Sequence, residues 1–200
     1  MFKNPKTKAA LIIALTFFVF PAWASCILKE GRVEKLKLAA EQFEAAPNFE
    51  NAAQFFELVP DDFCEFNLIY GYSNGQAAPL YDSGLYEILP ALQKFLEPGD
   101  LLKKYVSLAA DAYWDADNVS ILQYEYHQIF LSVPSEAIAM IQSLPEEQRH
   151  KAIRFLFDGP HPSNSFFNVE ERALVCEINL DFCLELSVIE NELLIEERQH

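Results

Sequence analysis

Apolar residues recur three and four apart along almost the whole chain, with helix breakers between the runs, and this pattern leaves room for little except α-helices packed on one another. Val33, Leu36, Ala40 and Phe43 form one stripe. Ala52, Phe55, Phe56 and Val59 form a second, and Leu85, Ile88, Leu89, Leu92 and Phe95 a third. Leu102, Tyr105, Ala109, Ala112 and Tyr113 continue the series, followed by Val119, Leu122, Tyr126, Ile129, Phe130 and Val133. Shorter helices are expected at 135–144 and 145–157, where Ser143 with Glu146 has capping-box spacing and Pro145 suits the first helical position. The breakers are Pro47, Pro60, Gly71 to Gly75, Pro98-Gly99, Pro134 and the run from Asp158 to Pro162. Pro90 alone lies inside a stripe, where it should kink or split the helix.

The C-terminal segment satisfies two periods. Ile178, Leu180, Phe182, Leu184, Leu186 and Val188 alternate as a strand would, whereas Val175, Ile178, Phe182, Ile189 and Leu193 fit a helix. A lone strand has no visible partner elsewhere, and Asn168 with Glu171 resembles a capping pair, so one helix over 169–197 is expected. The predicted fold is all-α: an irregular helical bundle or a paired-helix, solenoid-like array of about eight or nine helices. The stretch from Gly71 to Ser83, with Tyr72, Pro79 and Tyr81, is long for a connection in a compact domain, and such loops often carry function.

Residues 1–24 have the three parts of a secretory signal: a basic start, an apolar run from Ala9 to Phe20, and Ala22-Trp23-Ala24 as a small-x-small cleavage site. Cleavage would leave Ser25 first and a single helical domain over 25–200. An uncleaved anchor comes second, because the run is short of the ~20 residues that span a bilayer. Lipidation at Cys26 comes third, since Trp23 sits where a lipoprotein signal prefers Leu. The expected compartment is a bacterial periplasm or the exterior, with no membrane association once the signal is removed.

Cys26, Cys64, Cys176 and Cys183 all lie beyond the cut, and an even number in an exported chain suggests two disulfides. On a continuous helix, Cys176 and Cys183 would stand about 10.5 Å apart along the axis, too far to pair. They are therefore expected to reach Cys26 and Cys64, stapling the last helix to the first elements. Zinc is not expected, because no C-x-x-C or C-x-x-H pair occurs.

Lys3, Lys6 and Lys8 lie in the leader, so residues 25–200 carry 12 basic against 30 acidic residues, a formal charge of −18. Such a field repels phosphate backbones and anionic lipid and attracts basic partners, which disfavours nucleic-acid binding; acidity also serves solubility alone.

The densest polar cluster runs from Asp111 through Trp114, Asp115 and Asp117 to Asn118. A calcium loop fails there, because Val119, Ser120 and Tyr126 occupy positions that need an oxygen ligand, Gly and Glu. Asp115, Asp117 and Asn118 are instead expected to compete for the cap of the following helix. Asn118-Val119-Ser120 matches a glycosylation sequon by pattern alone. Acid-base chemistry would need paired carboxylates, but Glu125 and His127 point to different helix faces, and His150, between Arg149 and Lys151, is expected to be solvated. No H-E-x-x-H, G-x-S-x-G or phosphate-cradling loop is present, and no cofactor is implied. In the segment from Phe157 through Asp158 and Pro160 to Pro162, two prolines hold His161 in a stiff turn suited either to recognition or simply to stopping a helix.

The segments Pro79-Leu80-Tyr81-Asp82, Trp114 to Val119 and Phe157 to Pro162 resemble motifs of a group of small, uncharacterised bacterial helical proteins. The resemblance covers roughly residues 55–165 and implies a shared helical fold, with no activity or catalytic residues attached. Together these features suggest a protein that binds another protein, an inhibitor or immunity-type factor for a basic partner. Trp114, Asp115, Asp117, Phe157, Asp158, Pro160 and His161 are the candidate contacts. The alternatives are a hydrolase using carboxylates among Asp111, Asp115, Asp117 and Glu125, or a passive helical scaffold.

Overall fold

The computed structural model describes residues 26–73, 75–115 and 118–199. The expected signal over 1–24 and the candidate contact Asp117 lie outside them. The described residues form ten α-helices, one short 3-10 turn and a two-residue hairpin. In order these are α1 (Arg32–Ala45), α2 (Phe49–Leu58), α3 (Phe63–Tyr70), β1 (Tyr72–Ser73), β2 (Gln76–Ala77), α4 (Leu85–Leu92) and α5 (Pro98–Ala109). There follow α6 (Asn118–Ser132), α7 (Pro134–Gln142), α8 (Glu146–Phe155), the 3-10 turn Pro162–Asn164, α9 (Val169–Ile178) and α10 (Leu180–Glu197). The all-α expectation holds, and the apolar stripes largely became buried helix faces, although Phe95 lies beyond the end of α4 and Ala112 and Tyr113 beyond the end of α5, with Tyr113 54% exposed.

α5 and α6 form the centre. α5 packs against α3, α6, α7 and α8, and α6 against α3, α4, α5 and α7. In a solenoid each repeat touches only its neighbours, so contacts such as α5 with α8 and α10 with the 3-10 turn mark an irregular bundle. α6 is enclosed on several sides, which is why Asn118, Gln123 and Glu125 are buried there beside Leu122, Tyr126 and Phe130. The Gly71–Ser83 loop is not structureless: β1 and β2 pair antiparallel, Tyr72 opposite Ala77, and Asn118 on α6 donates to the carbonyls of Tyr70 (2.8 Å) and Tyr81 (2.7 Å) at its two ends. Both hydrogens of that buried amide are committed, so Asn118 does not offer an accessible glycosylation site.

Two expectations in the C-terminal third are corrected. Residues 169–197 form two helices broken at Asn179, whose extended backbone ends α9 and whose side chain accepts from the Phe182 N–H at 2.9 Å to start α10. The turn brings Cys176 and Cys183 to 4.9 Å between Cα atoms, and they pair with each other. The 10.5 Å separation applied only to an unbroken helix. Cys26 pairs with Cys64 on α3, because residues 26–31 run beside that helix: the Lys29 N–H donates to buried Glu65 at 3.2 Å, and Arg32 reaches the same carboxylate at 3.3 Å. Neither disulfide spans the molecule.

Smaller differences follow from local geometry. The Ser143 hydroxyl donates back to the Met140 carbonyl, and Pro145 sits one position before α8, so no capping box forms there. Asn168 and Glu171 do form one. α4 carries Pro90 in its last turn and ends two residues later, at Leu92.

Candidate functional site

The segment after α8 is built from its carbonyls outward. α8 stops at Phe155, leaving C-terminal carbonyls that need donors. Gln123 on α6 supplies them: its amide donates to the carbonyls of Phe155 at 2.7 Å and Asp158 at 2.6 Å. The Asp158 carboxylate accepts from the Gly159 N–H at 3.0 Å and lies 3.5 Å from the Arg154 guanidinium, which also holds Glu196 of α10 at 2.7 Å. Gly159 has φ +153°, a backbone conformation that favours glycine, and the Trp114 indole packs beside it: a β-carbon there would lie in ordinary contact, 3.5 Å from the indole nitrogen. Trp114 is half-buried against the turn.

Phe157 is fully buried, its ring meeting Phe166, Phe167 and His127 at 5.6, 5.0 and 6.0 Å between centroids. It anchors the turn from inside. Pro160 and His161 form the exposed tip, with the His161 side chain 73% exposed and its Nδ1 3.5 Å from Glu197. Between tip and α10 lies a groove of about 430 Å³ walled by Asp158, Pro160, Pro162, Leu193, Glu196 and Glu197. The structure therefore brings Trp114, Phe157, Asp158, Pro160 and His161 into one neighbourhood, with Asp115 half-buried beside Trp114.

Sequence reasoning missed Gln123, Glu196 and Glu197. Gln123 had a signal: a polar residue between the apolar positions Leu122 and Tyr126. The two glutamates had none, since they reach the turn from more than thirty residues away.

The carboxylates of the hydrolase reading have separate surroundings. Asp111 is exposed, 3.6 Å from Lys151 on α8. Glu125 is buried, accepts from the Gln93 amide, and is pushed above the usual carboxylate range by burial. His127 faces the Phe157 and Phe167 rings on another side of α6, and burial lowers its pKa. His150 is not simply solvated between cations; its Nε2 lies 2.9 Å from Glu192 of α10. Among the described residues no group of three or more His, Cys, Asp or Glu side chains could hold a metal, and no helix is long and apolar enough to cross a membrane. No family model, no curated protein and no solved structure matches this chain.

Proposed function

We propose that this is an exported, disulfide-stapled helical protein that binds a basic protein partner, as an inhibitor or immunity-type factor would, in a periplasm or outside the cell. The observation that carries the reading is the turn after α8: an exposed Pro160-His161 tip, held by the Gln123 amide and the Phe157 anchor, beside a groove walled by three carboxylates. A tip already rigid loses little conformational entropy on binding, and the Asp158, Glu196 and Glu197 wall, which the single cation of Arg154 only partly offsets, suits a lysine or arginine side chain. The excess of 18 negative charges over residues 25–200 would speed encounter with such a partner and slow it with anionic surfaces. Two disulfides fit an oxidising compartment.

The test is crosslinked capture from a periplasmic extract at low salt, comparing the native chain with a Pro160→Ala/His161→Ala variant. A basic protein recovered by the native chain, and lost with the variant at unchanged melting temperature, supports the reading. Identical recoveries from the two chains count against it.

A further inference from the structure

Helix α10 is apolar on two opposite faces. Phe182, Leu186, Ile189 and Leu193 are buried against the bundle. Leu180, Leu184, Val188 and Ile195 are 64, 58, 57 and 57% exposed. Spacings of four, four and seven put these last four on one face, continuously apolar over about 12 Å from Leu180 to Val188, with exposed Asn191 standing between Val188 and Ile195. A globular surface helix ordinarily turns a polar face to water, so an apolar line of this length on the last helix is surface without a partner.

The charge pattern of the same helix says what kind of partner fits. α10 carries Asp181, Glu185, Glu190, Glu192, Glu196 and Glu197 and no lysine, arginine or histidine. By helical position Asp181, Glu185 and Glu192 border the apolar line on one side. Glu185 and Glu192 are held in place, and partly offset, by Arg149 at 2.8 Å and His150 at 2.9 Å on α8, while Asp181 carries no such pair among the described residues. A second copy of the chain is a poor occupant: two-fold pairing sets the same patch against itself and brings each border of Asp181, Glu185 and Glu192 towards the other copy's, on molecules that each carry a large negative excess. An anionic lipid surface meets the same repulsion.

We infer that the Leu180–Ile195 line of α10 docks an amphipathic helix of the partner, one whose apolar face is flanked by lysines or arginines. This rests on the proposed binding of a basic protein and adds the surface and the shape of the binding element. The partner helix buries its apolar face on Leu184 and Val188, and its cations meet the carboxylate border.

The test uses a fluorescein-labelled helical peptide of leucine and lysine, leucines three and four apart, with a scrambled peptide of identical composition as control. Anisotropy titrations at low salt compare the native chain, a Leu184→Glu/Val188→Glu variant and the Pro160→Ala/His161→Ala variant. Both substituted positions on α10 are more than half exposed, so melting temperatures should barely move. The expected result is binding of the ordered peptide at least tenfold tighter than the scrambled one, weakened at least tenfold by the α10 double variant. Attraction by charge alone predicts the reverse, because two added carboxylates should tighten binding. Binding unchanged or tightened in the α10 variant overturns the inference and leaves the turn-based reading standing. No binding of the ordered peptide to the native chain overturns the inference, while the turn-based reading stands or falls on the capture experiment. Sedimentation of the native chain as a dimer that the α10 variant dissolves assigns the line to a second copy and overturns the inference.

Discussion

Gln123 is the residue on which the segment after α8 depends most directly. Its amide meets two main-chain carbonyls at once, at Phe155 and Asp158, in a largely buried setting. Gln123→Leu keeps the apolar bulk but leaves both carbonyls unmet, and each such loss costs about 1–3 kcal/mol. Urea unfolding should show a loss of that order, and the tip at Pro160 and His161 should become protease-sensitive while the remaining helices hold. Two neighbours on α6 respond to pH in opposite senses. Burial raises the pKa of Glu125, so the folded state holds that proton more tightly than the unfolded state. The associated stability is complete below its ordinary 4.5 and is lost as pH rises through the raised folded value. Glu125→Gln, which keeps a neutral group of the same shape, should raise the melting temperature near neutrality and leave it nearly unchanged in acid. His127 is lowered by burial, so its contribution is complete above 6.5 and is lost as pH falls below that toward the folded value. His127→Gln should flatten the fall in melting temperature as pH drops below 6.5. An unchanged slope would mean that imidazole protonation does not destabilise the fold.

At the level of elements, the two disulfides divide the work unequally. Cys26–Cys64 closes a loop with a sequence separation of 38, and Cys176–Cys183 one of 7. In the chain-entropy model these are worth about 4 and about 2.5 kcal/mol, so replacing the first pair with alanine should cost more in urea than replacing the second. The reverse order would show that the α9–α10 hairpin depends on its staple beyond chain entropy. Asn179 is the other device in that hairpin, and losing its cap on α10 should cost about 1 kcal/mol in an Asn179→Ala chain. This hairpin also shows where sequence periodicity stops being informative. Val175, Ile178, Phe182, Ile189 and Leu193 keep helical spacing across the break, so periodicity alone reads straight through it. The signal for the break was a single asparagine, and a cap residue inside a good stripe is easily passed over. α3 was missed for a related reason: eight residues make too short a stripe, although Asp62 accepting from the Glu65 N–H, ahead of Phe63, Phe66 and Ile69, is a start signal in plain view. Asp158, Gly159 and the prolines were legible as a turn because their chemistry is local, whereas the packing of Trp114 beside Gly159 was not. The groove beside them was not, because its α10 wall comes from a distant part of the chain.

At the scale of the whole molecule, long-range repulsion competes with short-range pairing. Residues 25–200 carry 18 more negative than positive charges. Against that stand local pairs: Arg149 with Glu185, His150 with Glu192 and Arg154 with Glu196 along the α8–α10 seam, and Arg172 with Glu190 between α9 and α10. Partly exposed pairs of this kind contribute only about 0–1 kcal/mol each. Self-repulsion acts over the whole surface, and the screening length shrinks from about 30 Å at 0.01 M salt to about 8 Å at 0.15 M. Adding salt over that range therefore removes more repulsion than attraction, and the melting temperature should rise by a few degrees in sodium chloride. A fall would mean that the seam contributes more than exposed pairs ordinarily do. Measuring the Arg154→Met chain alongside separates the cases: if repulsion dominates, both chains gain in parallel, and if the seam dominates, only the native chain loses stability as salt is added. Association with a basic partner should respond in the opposite direction, slowing over the same range because the excess charge that destabilises the isolated fold also draws the partner in.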